Sequence, residues 1–115
     1  MHEKTPPWGA YGVLRARLEQ RPAPELEALA RQVQPASDPE INFFSAAHLA
    51  YAHQSDAALA LLKQAIAGGY CSYPDIDSNP FFAAARGKPE FAQIRLAAQR
   101  CQHEFQTQRS SGAKR

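Results

Sequence analysis

Residues 44–65 read FSAAHLAYAHQSDAALALLKQA, two runs of helical spacing separated by a short polar turn. Bulky and small side chains alternate along both runs: the bulky ones are Phe44, Tyr51 and Leu62, and the small ones are Ala47, Ala58 and Ala65. Two helices pack closely only where one side of the contact is small, because protein interiors are filled at nearly crystalline density. The stretch therefore predicts an antiparallel helical hairpin in which Phe44 and Tyr51 point at Ala58 and Leu62.

Proline marks further helix starts along the chain. Five segments with helical apolar spacing each follow a proline, namely Pro6, Pro24, Pro39, Pro80 and Pro89. Proline suits the first helical position because its φ is already helical and its missing N–H would have no partner there. The pair Ser55-Asp56 predicts a sixth start, since both residue types cap helices well.

Each predicted helix has one apolar face. In chain order the faces are Trp8, Tyr11, Leu14 and Leu18; Leu26, Leu29, Ala30 and Val33; Ile41, Phe44, Ala47 and Tyr51, widened by Phe43, Ala46 and Ala50; Ala58, Leu59, Leu62, Ala65 and Ile66; Phe81, Phe82 and Ala85; and Phe91, Ile94, Ala98, Cys101 and Phe105. These faces predict an all-α fold of about six helices packed as antiparallel αα-hairpins, because short connections place sequential helices side by side.

The helices predict a single domain over residues 1–106, with hairpins at about 6–34, 39–68 and 79–106. Gly68 and Gly69 end the fourth helix, since glycine accepts the left-handed conformation. The connection from there to Asn79 is too apolar for a free loop, so we expect it to fold back over the preceding helix pair. Residues 107–115 carry no apolar period and are expected to form a flexible basic tail.

Composition narrows the classes of protein. Alanine occurs 22 times, whereas valine, isoleucine and threonine together occur 8 times, which disfavours an extensive sheet. No apolar run approaches a membrane span, and the net charge of +2 does not by itself favour nucleic acid. The residues from Ala84 onward have a net charge of +5, and the residues before Ala84 have a net charge of −3. We interpret the basic end as a solvated helix face and a charged tail. A phosphate-binding role for this basic end is the alternative.

The two cysteines allow two interpretations. They are too few for a disulfide framework, and two buried, reduced thiols in a cytoplasmic protein are the favoured interpretation. A disulfide between Cys71 and Cys101 forms instead if the long connection packs on the last helix. With no Cys-x-x-Cys, and with His48 and His53 five residues apart, we expect no metal site.

Two stretches resemble a known family. The pattern of residues 44–65 resembles one tetratricopeptide repeat, and the stretch from Ala58 to Phe105 resembles the terminal segment of bacterial multidomain tetratricopeptide proteins, in which a capping hairpin follows the last repeat. There the pattern is Asp-Pro-x-Phe, then Leu-Arg-x-x-Pro-x-Phe; here Asn79 replaces the aspartate and Ala85 the leucine. The resemblance implies stacked hairpins in a right-handed superhelix. In that family such segments commonly follow a kinase or winged-helix regulator.

The expected function follows from that resemblance and from the lack of catalytic patterns. The ligand-facing positions of the repeat's first helix correspond here to Asn42, Ser45, Leu49, Ala52 and His53. The resemblance therefore implies a groove for a peptide or partner protein. No nucleophile-base constellation or phosphate loop is readable, so we expect a non-enzymatic protein without cofactors. The alternative is a structural C-terminal cap or homodimerisation unit of a larger regulatory protein, since a solenoid needs about three repeats.

Overall fold

The computed structural model describes residues 10–71 and 73–113, together with their side chains other than those of Tyr73 and residues 105–113. The α-helices are α1 (Tyr11–Leu18), α2 (Ala23–Arg31), α3 (Pro39–Tyr51), α4 (Ser55–Ala67), α5 (Tyr73–Ser78) and α6 (Pro89–Ala113), and the 3-10 turns are Pro80–Phe82 and Ala85–Gly87. No strand occurs among the described residues, and the predicted all-α class is confirmed. The predictions for Pro6, Trp8 and the Phe105 side chain lie outside the described part.

The predicted helix starts are confirmed wherever they can be compared. Proline lies in the first turn of α2, α3, α6 and the first 3-10 turn, at Pro24, Pro39, Pro89 and Pro80 respectively. Asp38 caps α3 by accepting a hydrogen bond from the backbone N–H of Glu40 at 2.9 Å. α4 begins at Ser55 as predicted, but its N-cap is Gln54 and no side chain caps it. The Ser55-Asp56 pair therefore marks the start without supplying the cap.

The centre of the fold is the antiparallel pair α3 and α4, which make the most extensive contact between any two elements. Three small residues are buried in this pair, Ala47, Ala58 and Ala65, and Leu62 is fully buried beside them. Small side chains let two helix axes approach, so more neighbouring atoms come within van der Waals distance. The predicted burial of these alanines is confirmed.

The aromatic residues of α3 differ from the prediction. Phe43 is 2% exposed, whereas Phe44 is 48% and Tyr51 is 36% exposed. The Phe43 ring centre lies 5.1 Å from that of Tyr70 and 5.6 Å from that of Phe82. The prediction that Phe44 and Tyr51 point at Ala58 and Leu62 is wrong. α3 is apolar almost all round, so its surroundings, and not its own spacing, decide which row is buried.

α1 also buries a different face from the one that the sequence predicted. The sequence predicted a face through Tyr11 and Leu18, but both are exposed, at 47% and 62%. The buried residues are Val13 and Ala16, together with Ala10 just before the helix. α1 packs on α3, and the small side chains of the two alanines allow that close approach. Two larger apolar residues are left at the surface as a result.

The connection after α4 folds back onto the core, but its helix α5 packs on α6, whereas the prediction placed it over the α3–α4 pair. α4 ends at Gly68 and Gly69, and Gly69 takes a φ of +99°, which glycine adopts without strain. Tyr70 is half-buried and Ile76, on α5, is fully buried in the core. The helix predicted around Phe81 is instead two 3-10 turns. Asn79 caps the first of these turns, since its Oδ1 accepts from the backbone N–H of Phe81 at 2.8 Å.

The two cysteines are joined. Cys71 and Cys101 form a disulfide that ties the connection after α4 to α6, with their Cα atoms 5.6 Å apart. The prediction of two reduced thiols is therefore wrong, because the connection packs on the last helix. Disulfides persist best in oxidising compartments, so the argument from reduced cysteines no longer supports a cytoplasmic location, which stays a prediction.

The last helix is longer than predicted. The backbone of α6 is helical through Ala113, whereas the sequence predicted the helix to end at Gln106. Residues 107–113 are polar but contain no proline, so nothing in the backbone chemistry stops the helix there. The flexibility assigned to residues 107–115 remains a prediction.

Candidate interaction surface

α3 is covered on three sides. α1, α4 and the turn Pro80–Phe82 all pack against it. Most of its residues are buried as a result, namely Asn42, Phe43, Ser45, Ala46, Ala47, Leu49 and Ala50. The side that stays open carries Glu40, Phe44, His48 and Tyr51. These four residues are spaced at i, i+4, i+8 and i+11, which keeps them along one face of a helix.

Four of the five residues predicted to line a groove are inside the protein. Asn42 holds the preceding loop, because its Oδ1 accepts from the Ala36 N–H at 2.7 Å and its Nδ2 donates to the Ala36 carbonyl at 2.9 Å. Ser45 Oγ accepts from the backbone N–H of Ala10 at 3.4 Å. Leu49 and Ala52 are also buried.

The positions that were predicted to line the groove are thus covered by the chain's own α1 and by the loop between α2 and α3. The open face of α3 lies about a third of a turn away from the predicted one. The cause is the same ambiguity that misplaced Phe44: both rows of α3 are apolar enough to be core, and only the contacts with other elements distinguish them.

His53 is the one predicted residue that remains exposed. It takes a φ of 63°, a left-handed conformation in which histidine is more tolerated than most side chains. Its Nε2 lies 3.5 Å from Nη2 of Arg17. The structure therefore places His53 at the C-terminal end of α3, beside a cation of α1.

The open side of α3 and the turn after α5 form a continuous surface, which we call the aromatic strip and define as Phe44, His48, Tyr51 and Phe81. The Phe81 ring lies 4.9 Å from Tyr51 at an interplanar angle of 31°, and 6.3 Å from the ring of His48. Large apolar groups left at a surface in one row mark interaction sites more often than scattered ones do. The strip is therefore the strongest candidate for contact with another molecule.

A cation borders one end of the strip. The Arg17 guanidinium carbon lies 5.8 Å from the centre of the Tyr51 ring, within the range of a cation–π interaction. The Nε of Arg17 is buried and has no hydrogen-bond partner among the described residues. Arg17 is thus held against the strip by the ring and leaves part of its hydrogen-bonding capacity unused.

His48 lies in the middle of the strip and is half-buried. Burial lowers the pKa of His48, because the charged imidazolium loses hydration. Above the ordinary histidine pKa of about 6.5 the ring is neutral in both the folded and the unfolded state. Below that value the unfolded chain takes up a proton first, so the free energy of unfolding falls as the pH falls toward the lowered pKa.

A polar cleft lies beside His53. It has a volume of about 310 Å³ and is lined by Glu27, His53, Gln54, Ser55, Asp56, Ala57 and Lys88. Its principal charge contact is the ion pair between Lys88 Nζ and Asp56 Oδ1 at 3.2 Å, in which the Asp56 side chain is largely exposed. Exposed pairs of this kind are weak and screened by solvent. Within residues 10–71 and 73–113, no group of three side chains is suited to hold a metal ion.

Comparison with known proteins adds no relative: no protein-family profile, curated protein or solved structure matches this chain. In the described part of the chain, no helix combines the length and the apolar character that crossing a bilayer requires. The interpretation of the surface consequently depends on the geometry of the chain itself.

One feature of the sequence is compatible with the position of the aromatic strip, although it does not by itself select the strip over the competing row. Phe44, His48 and Tyr51 follow the helical spacing i, i+4, i+7, and the competing row Phe43, Ala46, Ala50 contains the smaller residues. Alanines are the better choice for the closely packed side of a helix that contacts several others. The row with the small residues therefore suits the covered side of α3, but the contacts with α1 and with the turn Pro80–Phe82 make the choice between the rows.

Proposed function

We propose that this protein is a non-catalytic helical-repeat interaction module, similar to tetratricopeptide proteins, that binds a peptide segment of a partner through the aromatic strip. The observation that carries the proposal is the exposure of Phe44 and Tyr51 on a helix that is otherwise buried. Removing such rings from water on binding contributes substantially to affinity, and aromatic residues dominate the energetics of interfaces.

The arrangement of the first two hairpins supports the repeat interpretation. Ala10, just before α1, donates its backbone N–H to Ser45 in the first half of α3. Arg17, near the end of α1, contacts Tyr51 and His53 at the C-terminal end of α3. α1 and α3 therefore run in the same direction, as do the first helices of successive hairpins in a stacked repeat. The turn Pro80–Phe82 packs on α3 and α6 packs on α4, contacts that a third hairpin next to α3 and α4 would make.

The charge chemistry supports a binding role over a catalytic one. The acidic residues near helix starts are used in caps and ion pairs: Asp38 caps α3 and Asp56 pairs with Lys88. Acid–base catalysis requires a titratable group that faces a substrate site within hydrogen-bond reach. His48 instead lies between aromatic rings, where a partner would cover it.

The proposal is tested by selecting binders for the full chain from a displayed library of random peptides. Binding of the selected peptides should be reduced at least about tenfold by Phe44→Ser and by Tyr51→Ser, because each change removes an aromatic anchor. Leu96→Ser is the matched control, since Leu96 is also exposed, at 54%, but lies on α6. Binding that is lost equally in the Leu96→Ser variant, or kept in both strip variants, would refute the proposal.

A further inference from the structure

We propose that the occupant of the aromatic strip is a short amphipathic helix that runs antiparallel to α3, with acidic residues in its first turn and basic residues in its last. This inference rests on the proposed function and names the chemistry of the partner. It follows from three features of the strip: the spacing of its rings, the charges at its two ends, and its small area.

The spacing of the rings fits a helical partner. Phe44 and Tyr51 are seven residues apart on α3, which is two turns or about 10.5 Å along the axis. A partner helix presents its own apolar residues at i and i+7 with the same separation, so each of them meets one ring. The Phe81 ring, whose centre is 4.9 Å from that of Tyr51, extends the strip beside one of the two anchors. An amphipathic helix thus buries both anchors at once.

The charges at the two ends orient the partner. Glu40 is exposed one turn before Phe44 on the same face of α3, and Arg17 lies against the ring of Tyr51 at the other end. The two ends are about 16 Å apart along α3, since Glu40 and Tyr51 are separated by eleven residues. A partner with an acidic group beside Arg17 and a basic group beside Glu40 is complementary to both.

Helix dipoles select the direction. A helix stabilises acidic residues in its first turn and basic residues in its last. The acidic end of the partner, which lies beside Arg17, is therefore its N-terminus. That N-terminus then lies at the C-terminal end of α3, so the two helices are antiparallel and their dipoles attract.

The size of the strip favours a short peptide over a second copy of the chain. An aromatic side chain offers roughly 200 Å², so the exposed fractions of Phe44 and Tyr51, 48% and 36%, supply on the order of 170 Å². A stable protein–protein interface buries about 800 Å² on each partner. The two rings thus suffice as anchors for a few side chains of one helix.

The experiment uses two fluorescent peptides of about 16 residues, some four to five helical turns, with identical composition and leucines at i, i+4 and i+7. One carries glutamates in its first turn and lysines in its last; the other carries them reversed. Their affinities for the full chain are measured by fluorescence anisotropy. The ratio of the two affinities is then compared between protein variants, because the peptides' own helicities cancel in that comparison.

The glutamate-first peptide should bind more tightly to the unmodified protein, and the ratio should fall about fivefold in each of Glu40→Lys and Arg17→Glu, since each change turns an attractive contact into a repulsive one. Glu40 is exposed, so its variant stays informative even if Arg17→Glu perturbs the fold. Arg100→Glu, an equal charge change on α6, should leave the ratio unaltered.

An unchanged ratio in both strip-end variants would overturn the oriented helix. If Phe44→Ser still abolishes peptide binding in that case, the proposed function stands and only the partner's chemistry is wrong. A second copy of the chain is the occupant if neither peptide binds, light scattering shows a dimer, and Phe44→Ser abolishes dimerisation. That result would overturn the inference. Failure of Phe44→Ser to affect any binding would refute the proposed function itself.

Discussion

Two neighbouring phenylalanines on α3 provide a direct measure of which side of the helix is core. Phe43 and Phe44 are the same residue type in the same helix, but Phe43 is buried and Phe44 is half-exposed. Replacing each in turn by alanine gives two variants with equal changes in side-chain volume and helix propensity. Any difference in the free energy of unfolding between them therefore reports the surroundings of the two rings.

The burial of each ring sets the expected loss in the free energy of unfolding. Phe43 is 2% exposed and packs near the rings of Tyr70 and Phe82, so Phe43→Ala should cost about 3–5 kcal/mol, the range for a fully buried ring. Phe44 is 48% exposed, and about half of a transfer free energy of roughly 2–3 kcal/mol is at stake. Phe44→Ala should therefore cost about 1 kcal/mol.

The assay is urea denaturation followed by circular dichroism, with the free energy of unfolding extrapolated to water. A domain of this size has roughly 5–15 kcal/mol of stability, so Phe43→Leu, a smaller truncation, keeps the comparison measurable if Phe43→Ala does not fold. Equal costs for Phe43→Ala and Phe44→Ala, or a larger cost for Phe44→Ala, would refute the assignment of the buried face and with it the aromatic strip.

Three further predictions concern the disulfide, His48 and the cap at Asn79. Reduction of the Cys71–Cys101 bond should lower the free energy of unfolding by about 3–4 kcal/mol, since the bond spans a sequence separation of 30; identical urea midpoints with and without reductant would contradict this. His48→Gln should flatten the loss of stability between about pH 7.5 and about pH 5.5, because the lowered pKa of the buried imidazole leaves the unfolded state with more bound protons in that window. A steeper pH profile in the variant would count against the burial of that ring. Asn79→Ala should cost about 1 kcal/mol through loss of the hydrogen bond to the Phe81 N–H, and Asn79→Asp should cost less. Thermal denaturation that ranks the two variants in the opposite order would show that the cap is not what Asn79 contributes.

Helix starts were the most predictable part of this fold, whereas the end of α6 was not predicted. Pro39, Pro80 and Pro89 begin their segments as expected, and Gly69 ends α4 in a left-handed conformation. These signals depend on the backbone chemistry of one or two residues, which no distant contact alters. The alternation of alanines with larger residues was equally informative about the pairing of α3 with α4.

The identity of the exposed face was not predictable in the same way. α3 carries two apolar rows, and its periodicity alone assigns both Phe43 and Phe44 to the core. The choice is made by α1 and by the turn Pro80–Phe82, which bury one row and leave the other open. Asn42 and Ser45 show the same effect. The sequence predicted that these polar residues line a binding groove, but they are buried and form hydrogen bonds with the backbone of Ala36 and Ala10.

Residues close together in the chain specify that this protein is helical, where most of its helices begin, and which alanines of α3 and α4 are suited to burial. The packing of the helices, in contrast, turns Phe44 and Tyr51 outward, joins Cys71 to Cys101 and places Arg17 against the strip. Each of these joins or separates residues from different helices, and their meeting depends on how those helices pack.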